Sequence, residues 1–447
     1  MDFQDAVMTG LAPDGGLLVP SAIPDVRDRL GAWAELDYKS LAFEILRLFT
    51  DLPDGDLRDL IARSYSTFRH SEIAPVLSAG PVHICELFHG PTLAFKDIAL
   101  QFLCNLYEYI LRRTGGRLNI LGATSGDTGS AAIHGARGRE RVNIFIMFPK
   151  GRVSPLQELQ MTTVTDANVH CLAIEGTFDD GQRIMKSIFS DVTFKERHAL
   201  GSINSVNWAR VLAQTVYYFF SAFTVMRRTA AREVCFAVPT GNFGDILAGW
   251  YAAQMGLPVR RLILATNEND ILARFFNTGV YRTGRTVPTI SPSMDIQIAS
   301  NFERYLFHLL GNDPARIREL MAGFAKTGAL SVPLKNGGVD PLFRAGVGNT
   351  ENALAIIRRY HRSHSCLLDP HTAVGVHVAE QFLEEDAPTI CLATAHPAKF
   401  PDAIRTALNR DVARHAILDE LKSRPARSVT LPASEAAIRE YIGKHVS

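Results

Sequence analysis

The chain reads as an α/β protein. Three observations predict this class: a helical lead-in over residues 1–80, short apolar strands alternating with helices after it, and two strand–loop–helix units of one design. In the lead-in, Tyr38 to Phe49 and Asp56 to Phe68 show helical periodicity, separated by Leu52-Pro53-Asp54-Gly55. Strands are predicted at Val82 to Phe88, Leu118 to Gly122, Val142 to Phe148, Val169 to Ile174, Val234 to Val238, Leu262 to Ala265 and Thr389 to Ala393. Between them, helices are predicted from Asp97, over Ser130 to Arg137, over Gln182 to Phe189 behind a Thr177/Asp180 capping box, and from Asp245 to Met255. Asn207 to Arg228 has the strongest helical pattern, with one apolar stripe from Trp208 to Ala222. Asp369-Pro370 marks an N-cap followed by proline at the first helical position, and residues after Phe400 read as surface helices.

At 447 residues the chain is too long for one small core. Its charged fraction is 21% and its net charge +1, so bulk electrostatics offers no case for nucleic acid. The first residues lack a basic region followed by an apolar core, and the apolar runs are shorter than a membrane span. The six cysteines are scattered without metal-ligand spacing. A soluble, reduced, cytoplasmic enzyme is expected, with no metal, membrane or nucleic-acid partner.

Glu86-Leu-Phe-His-Gly-Pro-Thr-Leu-Ala-Phe-Lys96-Asp97 is the most informative stretch. It runs from a strand through a turn into a helix and leaves Lys96 at the helix N-terminus, where the backbone dipole disfavours positive charge. Leu93 and Phe95 add apolar surroundings. Such a lysine is suited to lose its proton and act as an amine nucleophile; the alternative is a surface lysine snorkelling at a helix start. Two glycine loops follow strands: Ile120-Leu-Gly-Ala-Thr-Ser-Gly126-Asp-Thr-Gly129 and Phe236-Ala-Val-Pro-Thr-Gly241-Asn-Phe-Gly244-Asp245. Each can offer backbone N–H donors and a helix N-terminus to an anion. Two anion loops and a lysine suit a cofactor phosphate and a second anionic group on a substrate. Neither loop is G-x-G-x-x-G, and the P-loop, G-x-S-x-G and H-E-x-x-H patterns are absent.

With these motifs, the chain resembles the longer branch of the threonine synthase family, pyridoxal-phosphate enzymes of fold type II (tryptophan synthase β-like). The resemblance runs nearly end to end. It takes in Thr9-Gly-Leu-Ala-Pro-Asp-Gly-Gly-Leu17, His89 to Asp97, Thr124 to Gly129, Asn204-Ser-Val-Asn-Trp-Ala-Arg210, Gly241 to Asp245, Met294-Asp295, Asp369 to Thr372 and Thr394-Ala-His-Pro-Ala-Lys-Phe400. It implies two three-layer α/β lobes around a cofactor cleft, with a helical N-terminal extension. The expected division is a helical region 1–80, a large cofactor-binding lobe from 81–100 and 233–400, a small substrate-binding lobe 101–232, and a helical C-terminal segment 401–447. The resemblance also implies conversion of O-phospho-L-homoserine and water into L-threonine and phosphate, by a monomer or homodimer.

Residue by residue, it implies Lys96 as the Schiff-base lysine. Gly241, Asn242, Phe243, Gly244 and Asp245 would form the cradle for the cofactor phosphate. Asp127 would face the 3-hydroxyl of the cofactor ring, and Thr394 its pyridine nitrogen. Ser125, Thr128, Asn204, Ser205, Asn207 and Arg210 are candidates for the substrate's carboxylate and phosphate. Lys150, Arg152 and Ser154 are a second phosphate-binding candidate. His89 and His396 read as structural histidines, and Asp97 as an organiser of the helix start. The rival readings are a lyase releasing 2-oxobutyrate from the same substrate, a serine/threonine dehydratase, and a catalytically silent binding protein of the same fold. Loss of the lysine would mark the last of these, and Lys96 is present.

Overall fold

The computed structural model describes residues 1–447 except Pro13, Ser125, Asn336 and Ser447. Its strands, in chain order, are β1 (Val76–Ala79), β2 (Val82–Glu86), β3 (Leu118–Ala123), β4 (Val142–Pro149), β5 (Val169–Glu175), β6 (Leu200–Gly201) and β7 (Val234–Pro239). They continue with β8 (Val259–Thr266), β9 (Val280–Arg282), β10 (Ala329–Ser331), β11 (Phe343–Val347), β12 (Thr389–Ala393) and β13 (Val429–Pro432). The large sheet has the order β1-β2-β12-β7-β8-β11 and is parallel apart from the β1–β2 hairpin. A second, all-parallel sheet has the order β13-β5-β4-β3-β6. A small antiparallel pair joins β9 and β10.

The parallel strands are near-continuous apolar runs because helices cover both faces; every residue of β7 and of β12 is buried. The helix Trp208–Thr229 is buried on every side rather than along one stripe, from Trp208 through Val225. It is wrapped by the helices Tyr38–Leu46, Lys96–Thr114 and Gly244–Gln254. A helix buried all round needs apolar residues all round, and this one has them.

Three expectations differ from the structure. The helix after the first glycine loop begins at Asp127, not at Ser130. The Thr124 hydroxyl accepts the N–H groups of Gly126 and Gly129 at 3.1 and 3.0 Å, which closes the turn early. The large sheet begins at Val76 rather than after residue 80, through β1. The segment 401–447 is not wholly helical, because β13 adds an edge strand beside β5. Arg427 anchors that segment, its backbone N–H reaching the Thr162 carbonyl at 2.7 Å and its Nη2 that of Val169 at 2.9 Å. Among the described residues, no helix is long and apolar enough to cross a membrane.

Candidate active site

The C-terminal ends of β2, β12 and β7 lie side by side, where ligands of parallel sheets bind. From β2 the chain runs alongside the segment that leaves β12. Leu87 N–H donates to Ala393 O at 3.0 Å, Phe95 N–H to Thr394 O at 2.8 Å and His396 N–H to Leu93 O at 3.0 Å. Leu93 holds a φ of 61°, a strained value for a branched residue, three positions before Lys96. Lys96 is then the first residue of its helix, which has no side-chain cap. Asp97 turns inward: Thr92 donates its N–H and its hydroxyl to the carboxylate, both at 2.7 Å. Gly90 lies so close that a Cβ there would stand 2.4 Å from the Asp97 Cβ. Asp97 therefore braces the turn that presents Lys96.

Lys96 is half-buried, with its Nζ 4.9 Å from the Phe95 ring centre. Burial holds its pKa below the ordinary lysine value; Asp127 and Asp97 oppose that shift, while Lys399 and Arg210 reinforce it. That shift eases the loss of the proton that a lysine must shed to act as a nucleophile.

The second glycine loop follows β7. Phe243 has a φ of 64° and packs its ring against Phe276, Phe302 and Tyr305. That anchor turns the chain so that the helix Gly244–Gln254 starts without a side-chain cap, leaving its first N–H groups free for an anion. Gly241 is required by close approach, since a Cβ would stand 2.4 Å from the Ser293 carbonyl oxygen. Asn242 accepts the backbone N–H of Asn301 at 3.1 Å. Asp245 differs from its neighbours in the loop: its side chain points back to the Trp208–Thr229 helix, accepting the hydroxyls of Tyr217 and Tyr218 at 2.5 and 2.9 Å. Thr394 follows β12 and is buried, one residue from the Ala94–Ala395 bridge.

In the small lobe, Asp127 opens its helix with no side-chain cap ahead of it and is buried. Its Oδ1 accepts from Gln157 Nε2 at 3.0 Å and from Lys399 Nζ at 2.9 Å. Burial alone would raise its pKa, but Lys399 and Lys96 outweigh burial and hold the carboxyl below its ordinary range. Thr128 is half-buried beside it, and Ser125 lies outside the described residues. Lys150 and Arg152 are exposed just beyond β4, with Lys150 Nζ 3.9 Å from Glu175. Ser154 caps the helix Pro155–Thr162 through the N–H of Gln157, so its hydroxyl serves the fold.

The segment from Asn204 to Arg210 splits the same way. Asn204 accepts the Val206 N–H at 3.2 Å, and Ser205 pairs hydroxyls with Ser300 at 2.7 Å. The Asn207 side chain is fully engaged, capping its helix through Ala209 N–H and donating to Val7 O and Tyr107. These bonds commit both of its N–H donors to the protein and shape the loop. Arg210 is the reverse case. It is 3% exposed, and among the described residues its Nε and Nη1 have no partner. Burial brings its pKa down to about 10, against the pull of Tyr107 and Cys104. A buried guanidinium with such donors beside Lys96 has the chemistry to hold an anion.

His89 binds Glu86 at 2.8 Å, and His396 accepts the Ala398 N–H at 3.1 Å, with burial taking its pKa down to about 4. Both are thus engaged by neighbouring protein groups. Sequence reasoning missed Gln157, Asn301, Arg304 and Lys399. Arg304 donates to Leu18 O at 2.9 Å and to Asn301 Oδ1 at 2.8 Å, tying the N-terminal segment to the loop over the cleft. Lys399 stands in the Thr394–Phe400 motif, but nothing local in the sequence marks it as buried or pairs it with Asp127.

The residues fit a phosphorylated pyridine cofactor. A nucleophilic lysine stands among three uncapped helix starts, at Lys96, Asp127 and Gly244, and beside an unpaired buried arginine. Three family models match the chain: "Threonine synthase N terminus" over residues 1–65, "Pyridoxal-phosphate dependent enzyme" over 72–395 and "Threonine synthase, C-terminal" over 372–442. The threonine synthase of Schizosaccharomyces pombe is 46% identical, covering 91% of this chain and 87% of that protein. That of Pseudomonas aeruginosa is 44% identical over 100% of this chain and 96% of its own length. The solved structure of PLP-bound threonine synthase from Brucella melitensis superposes with a TM-score of 0.95 at 43% identity, covering 100% of this chain and 97% of that one. The chain belongs to the threonine synthase family, and its cofactor is pyridoxal phosphate.

Proposed function

We propose that the chain converts O-phospho-L-homoserine and water into L-threonine and phosphate. The observation that carries this reading is the buried Arg210 guanidinium, whose Nε and Nη1 have no partner among the described residues; it would serve as an anion site besides the Gly241–Gly244 cradle. One phosphate belongs to the cofactor and takes the cradle; the other belongs to the substrate and takes Arg210. Pyridoxal phosphate, when bound, supplies the electron sink for negative charge at the substrate Cα.

The chain's own residues do the rest. The amine of Lys96 would remove the Cα proton and hand it to the substrate's phosphate, which frees the amine to take a proton from Cβ. Phosphate then leaves Cγ with its charge held by Arg210, and Lys96 gives the Cβ proton to Cγ. Water adds its hydroxyl at Cβ, and its remaining proton passes through Lys96 to Cα. Thr128, Asn204 and Ser205 are assigned to the substrate's anionic groups, with Ser125 by motif alone. Thr394 is assigned to the ring nitrogen, and the free carboxylate oxygen of Asp127 to the ring hydroxyl. Lys150 and Arg152 would receive phosphate at the rim. Five of the six free cysteines are buried, which supports a reducing, cytoplasmic setting.

Incubating the purified protein with O-phospho-L-homoserine tests the reading. Equal amounts of phosphate and threonine are expected. Phosphate with mainly 2-oxobutyrate would replace the synthase reading with a lyase one, and no phosphate release from cofactor-loaded protein would overturn the substrate.

A further inference from the structure

Lys399 is 2% exposed and lies on the short turn Pro397–Lys399, across the cleft from the small lobe. Its Nζ donates to the Thr92 carbonyl at 2.7 Å and pairs with Asp127 Oδ1 at 2.9 Å. Gln157 Nε2 donates to that same oxygen at 3.0 Å, and Ser154 holds Gln157 Oε1 at 3.1 Å. Both bonds fall on Oδ1, which among the described residues leaves Oδ2 as the carboxylate's open side. On the other side, Thr92 holds Asp97, the neighbour of Lys96. A polar chain thus runs from Asp97 through Thr92, Lys399 and Asp127 to Gln157.

For stability this is a costly design, since two charges must be stripped of water and an apolar pair would serve the fold as well. Position suggests another use. The charged groups around Lys96 are Asp97, Asp127, Arg210, Asp245 and Lys399, while His371 adds its influence at Asp127. Asp97 is held by Thr92, Asp245 by two tyrosines, and Arg210 is open for an anion. Asp127 is the remaining carboxylate, and Lys399 is the cation in contact with it. We propose that Lys399 is a positioning residue for the reaction: by fixing Asp127 through Oδ1 and balancing its charge, it lets Lys96 shed its proton. The proposal rests on Lys96 being the cofactor lysine.

The test is a pH titration of the visible absorbance band that the cofactor gives when joined to Lys96, in the holoenzyme. Removing Lys399 leaves the Asp127 charge unbalanced, so the Lys96 nitrogen holds its proton more tightly. Lys399→Met is expected to move the midpoint up by about one unit or more, and Asp127→Asn to move it down. The double variant is expected to titrate near wild type, and Lys399→Arg to restore the midpoint. An unchanged midpoint in a folded Lys399→Met protein would overturn the proposal. Should that variant fail to fold, an unmoved midpoint in Asp127→Asn overturns it instead. A wild-type protein that forms no such band would overturn the reading of Lys96 itself.

Discussion

Arg210 and Asp245 are buried charges of opposite sign, each with polar atoms left unpaired among the described residues. Burial moves the arginine down to about 10 and the aspartate up to about 6, in the latter case against the hydrogen bonds of Tyr217 and Tyr218. For Arg210, methionine of similar volume removes an uncompensated charge. Arg210→Met is therefore expected to melt at or above the wild-type temperature in the absence of phosphate; a markedly lower melting temperature would mean that Arg210 has a structural partner. For Asp245, the folded pKa exceeds the ordinary 3.8, so between those values the native state binds the proton more tightly than the unfolded chain. Stability at this group is gained as pH falls from about 6 towards 4. Asp245→Asn lacks that dependence. Its melting temperature is expected to exceed wild type above pH 6, with the advantage fading below pH 4; a difference constant with pH would contradict the assignment.

The elements that carry the site are strand ends followed by abrupt turns, and this made part of them readable. The run from β2 to Lys96 announces itself through His89-Gly90-Pro91 and the apolar periodicity after Asp97. The helix after β7 is equally plain from its small residues. The early start of the Asp127 helix was not, because it depends on where one threonine hydroxyl points. Strands β1, β6 and β13 have four residues or fewer, too few to show alternation, and depend on neighbours distant in sequence. The Gly241 loop gives a prediction at this scale. Gly241→Ala forces a Cβ against the Ser293 carbonyl and is expected to cost about 1–3 kcal/mol of stability. It should also weaken cofactor binding more than it lowers the melting temperature of the apoprotein would imply. Melting curves with and without pyridoxal phosphate check this, and equal losses in both would show that the loop does not serve the cofactor.

At the scale of the molecule, one mixed and one all-parallel sheet carry the site, and the groups that meet there come from distant parts of the chain. That distance limited what could be read from sequence. Lys96 and the glycine loops are local motifs, legible one at a time. The Lys399–Asp127 pair, the Arg304–Leu18 tie and the engagement of Asn207 with Val7 each join segments far apart in sequence. Local pattern cannot distinguish an asparagine that binds substrate from one that binds its own N-terminus, nor a surface arginine from a buried one without a partner. The central claim is that Lys96 stands between two anion sites with different guests. The measurement that tests it most directly is kcat/KM for O-phospho-L-homoserine in Arg210→Met, read beside the cofactor's absorbance band. The account predicts a fall of about 10- to 100-fold with the band intact. An unchanged kcat/KM, or loss of the band, would contradict it.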